Sequence, residues 1–158
     1  MGKNFWKQKI PEKKLMNDPT QTALAQYGKG FSCSQSIFSA FAAQFGIAED
    51  MALKIASPFG GGVARQGEVC GAVTGALMVL ALKHGTITPE KKEEIYKVSQ
   101  EFIRRFEEKH GSIICRKLVG YNIRIPEEYQ KARESNVFKK NCPGLVEDAA
   151  EIVKSLIE

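Results

Sequence analysis

Four residues in this chain can do redox or metal chemistry without help from anything rarer: Cys33, Cys70, Cys115 and Cys142. A thiolate attacks disulfides and binds soft metals, whereas a thiol does neither well. Each of the four is predicted to sit at a helix start. Cys33 follows Ser32, an N-cap residue type, and Cys70 opens an apolar run. Cys115 follows Gly111-Ser112, and Cys142 precedes Pro143, which suits a first helical position. Unpaired amides and the positive end of the helix dipole favour the charged sulfur there. Cys70 is the preferred low-pKa sulfur on this reading. There is no C-x-x-C, so the fold must gather any reacting pair to a Cα separation under ~7 Å. The plainer role for each cysteine is that of a small buried hydrophobe.

Around the sulfurs the sequence offers glycines and cations. The stretch from Gly60, Gly61 and Gly62 to Gly67 either aims backbone amides at an anion or thiolate, or lets the chain pass close to a neighbour. It is not a nucleotide-binding loop, because Glu68-Val69 stands where Lys and Ser or Thr are required. Arg65 and Arg116 are candidates for positive charge beside the thiolates, with a surface role as the alternative. His84 and His110 both precede glycine at a helix end and read as C-terminal capping cations rather than metal ligands.

The elements that must position these residues are helical. Asp18-Pro19 starts a short helix ended by Gly28. Ser32 caps another from Cys33 to about Phe45, and a third runs from about Glu49 to Ala56. CGAVTGALMVLALKHG is apolar on every side and predicts a buried central helix, in which Gly71, Ala72, Gly75 and Ala76 allow close packing. Thr88-Pro89 starts a long amphipathic helix with Ile95, Val98, Phe102 and Phe106 on one stripe. Short helices follow at Ile113 to Val119 and from Pro126. The last is expected from Pro143 to about Ile157. No useful strand alternation occurs. The fold class is all-α, a single-domain bundle of seven or eight helices.

Bulk composition narrows the setting. The 158 residues suit one domain, and an apolar content of 43% is ordinary for a globular protein. No run approaches the ~20 residues of a spanning helix, and the N-terminus lacks the apolar core of a secretory signal. These features predict a cytoplasmic protein without membrane insertion, in a compartment that keeps thiols reduced. Most of the net charge of +5 falls in a polar arm over residues 1–18, with Phe5, Trp6 and Ile10 as docking anchors; the helical domain is 19–158. A basic tail on a near-neutral body is not the pattern of a nucleic-acid reader.

The run Cys70-Gly71-Ala72-Val73-Thr74-Gly75 resembles the CGAxxG signature of the C_GCAxxG_C_C family of redox-active proteins. The other family cysteines fall on Cys33, Cys115 and Cys142, Gly60–Gly62 resembles the family's glycine-rich approach, and Gly111 to Arg116 its third-cysteine segment. The resemblance spans about residues 20–155 and implies redox activity. Three functions fit the residues: thiol–disulfide exchange with a redox partner; an iron–sulfur cluster or other metal held by all four cysteines; and a non-catalytic helical module. The long spacings count against zinc, which usually takes local pairs. An oligomer is compatible with all three.

Overall fold

A computed structural model describes residues 18–158, so the predicted basic arm lies outside the described residues except for Asp18. Eight α-helices are present among them and no strand: α1 (Pro19–Gly28), α2 (Cys33–Ala42), α3 (Glu49–Ala56), α4 (Gly71–His84), α5 (Lys92–His110), α6 (Cys115–Val119), α7 (Pro126–Glu134) and α8 (Val137–Ile157). The all-α class follows directly. None of these helices is long and apolar enough to cross a membrane.

Local chemistry sets most boundaries. Ser32 and Gln35 form a reciprocal capping box, with the Gln35 amide donating to Ser32 Oγ at 3.3 Å and the Ser32 amide donating to Gln35 Oε1 at 3.1 Å. Pro19 and Pro126 open α1 and α7, where a missing N–H costs nothing. Gly46 and Gly111 stop their helices in the left-handed conformation.

One boundary differs from expectation. Cys142 and Pro143 lie inside α8, which begins at Val137 after Asn136 turns left-handed at φ 58°. Pro143 removes only the hydrogen bond to the Lys139 carbonyl. Burial of Val137 and Cys142 holds the early turns in place across it. Cys142 therefore stands in the second turn, beyond the reach of the first-turn amides.

The core divides in two. The larger cluster wraps α4 and contains Phe41, Phe102 and Phe106, each fully buried and each stabilising by ~1.5–3 kcal/mol. The smaller one joins α6, α7 and the start of α8 through Cys115, Val119, Ile123, Ala132, Val137 and Cys142. Cys70 belongs to the larger cluster, Cys115 and Cys142 to the smaller, and Cys33 packs against both. The sulfurs thus lie along the seam.

Candidate functional site

Helix α4 approaches α2 backbone to backbone. A Cβ on Gly75 would stand 2.8 Å from the Ser34 carbonyl oxygen, and one on Gly71 would stand 3.0 Å from the Ser34 nitrogen and 3.2 Å from the Cys33 Cβ. The two glycines of the CGAxxG run, one turn apart, are thus the surface on which the start of α2 rests. Cys70, the N-cap of α4, is carried to the same place as Cys33.

The glycine-rich loop delivers the third sulfur. Five consecutive residues, Gly61, Gly62, Val63, Ala64 and Arg65, have φ between 48° and 68°. This is a conformation that a β-branched residue such as Val63 strongly resists. Its amides serve the loop itself: Ala64 donates to the Pro58 carbonyl at 2.7 Å, Arg65 to Gly60 at 3.1 Å and Glu68 to Gly62 at 2.9 Å. The amides of Ala64, Arg65 and Glu68 are therefore spent inside the loop. What the glycines permit is contact: a Cβ on Gly62 would lie 2.6 Å from the Cys115 Cβ, and one on Gly60 2.6 Å from the Ser32 Cβ.

Beyond the loop the chain pairs briefly with the start of α6. Val69 and Ile114 form an antiparallel bridge, Cys70 N–H donates to the Ile113 carbonyl at 2.7 Å, and Cys115 N–H donates to the Glu68 carbonyl at 2.6 Å. Cys70 and Cys115 each sit one residue past the bridged pair, so the pleat turns both to the same side. All four cysteines, with Gly61, Gly62 and Gly71, line one cavity of about 620 Å³. All four are free thiols.

Their electrostatics reverse the order predicted from helix starts. Cys33 shares a hydrogen bond with Cys142, which holds the Cys142 thiol below its ordinary value; burial opposes this, and a hydrogen bond from Tyr27 adds to it. The same bond raises Cys33, reinforced by burial and by the other three sulfurs. Burial lifts Cys70 to about 11 despite hydrogen bonds from the Ala72 and Val73 amides. Burial, then Cys70 and Cys142, lifts Cys115 to about 12. Cys142, not Cys70, is thus the most readily ionised thiol of the set. Desolvation outweighs the helix amides wherever the sulfur is sealed in hydrocarbon.

Tyr27 is a site residue that the sequence did not single out. Its hydroxyl donates to the Phe138 carbonyl at 2.9 Å and is also placed to donate to the Cys142 sulfur. Only the end-of-helix position of Tyr27 was readable, and that carries no sign of a partner on α8. Lys139 also went unremarked, and it is the one Lys, Arg, Asp or Glu among the described residues lining the cavity.

The two arginines work elsewhere. Arg65 lies over the Tyr129 ring at 4.4 Å, and Arg116 donates to Glu68 at 3.0 Å and to the Gly67 carbonyl at 3.3 Å. Neither lines the cavity. The histidines tie helix ends to α8, His84 through the Leu156 carbonyl at 2.7 Å and His110 through Asp148 at 3.0 Å. Among the described residues no three of His, Cys, Asp and Glu are arranged to hold a metal ion.

A family model described as "Putative redox-active protein (C_GCAxxG_C_C)" matches residues 31–156. No curated protein and no solved structure matches the chain.

Proposed function

Because the chain belongs to the C_GCAxxG_C_C family of redox-active proteins, we propose that it is a dithiol–disulfide exchange protein. Cys142 is the attacking thiolate and Cys33 the resolving thiol. Their shared place on the wall of one cavity, with pKa values moved in opposite directions, supports this reading most directly. Their opposite shifts favour the charged form of Cys142 and the protonated form of Cys33, which is the division of labour that exchange requires.

Cys142 Sγ attacks one sulfur of a substrate disulfide; a mixed disulfide forms, and the departing thiolate takes a proton from water. Cys33 Sγ then attacks Cys142 Sγ, and the second half of the substrate leaves with the Cys33 proton. Two cysteines are oxidised and one substrate disulfide becomes two thiols. An external dithiol reverses the protein's change. Cys70 and Cys115 remain thiols at neutral pH.

The test is non-reducing peptide mapping of the reduced full chain after one equivalent of a disulfide oxidant. A Cys33–Cys142 crosslink with two thiols left is expected. A different first pair, or none, refutes the assignment.

A further inference from the structure

Resting on that exchange chemistry, the geometry points to the substrate class: a low-molecular-weight disulfide with an apolar body and a carboxylate, not a disulfide in a folded protein. Cys70, Cys142 and Cys115 are 3%, 6% and 8% exposed. Thiolate attack is in line with the bond that breaks, so the substrate's two sulfurs must lie end-on to Cys142 Sγ, within the walls. A protein disulfide is flanked by backbone on both sides, which hinders its approach to sulfurs this little exposed. A free molecule has no such flanks, and about 620 Å³ lies within the range of small-ligand sites.

The walls say what kind of molecule. Phe31, Leu118, Phe138 and Leu145 make them largely apolar, with the Tyr27 hydroxyl beside the attacking sulfur. Lys139 is exposed, at the cavity's edge. Its ammonium favours a carboxylate there and disfavours a second cation. The apolar body stays inside while the charged group remains wet at the edge.

The experiment follows Cys33–Cys142 crosslinking in the reduced full chain with three probes: dithiodibenzoate, the dicationic aliphatic disulfide cystamine, and insulin. Each rate is divided by that of free dithiothreitol, which removes intrinsic leaving-group differences. Dithiodibenzoate is expected to exceed cystamine by about tenfold or more, with insulin inert. Lys139→Glu should erase that preference, and Leu118→Trp, which fills the cavity, should slow both small probes while the folded chain keeps its helical circular dichroism. Insulin reacting as fast as dithiodibenzoate, or an unchanged preference in Lys139→Glu, overturns the substrate class and leaves the exchange chemistry standing. No crosslink with any probe overturns the exchange chemistry itself.

Discussion

Gly71 presses so closely on Cys33 that a methyl group at position 71 would come within 3.2 Å of the Cys33 Cβ. The glycine next to one cysteine is therefore what seats another, distant in sequence. Gly71→Ala pushes the start of α2, and with it Cys33, away from α4; Gly75→Ala meets the Ser34 carbonyl at 2.8 Å. Overpacking of ~1–3 kcal/mol exceeds the ~1 kcal/mol that alanine gains in a helix. Both variants should lower the urea midpoint. Gly71→Ala should also slow Cys33–Cys142 crosslinking beyond what Gly75→Ala does, because of these two positions only 71 meets a cysteine. Equal crosslinking rates at equal stability would contradict this.

The order of thiol reactivity follows from the shifts at the four sulfurs. At neutral pH Cys142 should be the first residue alkylated by iodoacetamide in the reduced chain, with Cys70 and Cys115 modified slowest. Time-resolved peptide mapping reads this directly. Cys33→Ser weakens the donor to Cys142 and should slow its alkylation at neutral pH several-fold. Cys70→Ser should leave that rate nearly unchanged.

Helix starts at Pro19, Ser32 and Pro126 were legible because caps and prolines act locally. So was close packing at Gly71 and Gly75, since glycine inside an apolar helix needs a reason. Three things were not. Asn141, Cys142, Pro143 and Gly144 carry turn chemistry, yet burial of Val137 and Cys142 extends α8 through them. The rank of the thiols depends on how deeply each sulfur is sealed, and spacing along the chain is silent on that. Arg65 and Arg116 carry the right charge but spend it on Tyr129 and Glu68.

Alkaline pH should destabilise the reduced chain more than it does a variant lacking a sealed thiol. Cys70 has a folded pKa of about 11, above its unfolded value of ~8.5. Folding therefore holds a proton that the unfolded chain releases. The stability this represents is whole below about pH 8.5 and is lost as pH climbs toward 11. At ~1.4 kcal/mol per unit, Cys70 alone accounts for roughly 3 kcal/mol. Urea midpoints measured from pH 7 to 11 under a phosphine reductant should fall more steeply for the wild type than for Cys70→Ala. Parallel curves would show that the sulfur is not desolvated as its surroundings require. Cys142 has the opposite sign: its lowered pKa gives stability that is present above the unfolded value and lost as pH falls through the folded one.

Tyr27 has one proton and two acceptors, the Phe138 carbonyl at 2.9 Å and the Cys142 sulfur. While Cys142 is a thiol, the carbonyl takes the bond. Once Cys142 ionises, the charged acceptor makes the stronger one. Tyr27→Phe removes the donor while keeping the ring, so the Cys142 pKa should rise toward the ordinary range. The alkylation rate of Cys142 at neutral pH should then drop several-fold, while the plateau at high pH, where the sulfur is fully ionised, stays close to that of the wild type. A structural role alone would lower the unfolding midpoint without moving the midpoint of the pH–rate profile. The displacement of that profile to higher pH is thus the readout that separates a positioning residue from a packing one.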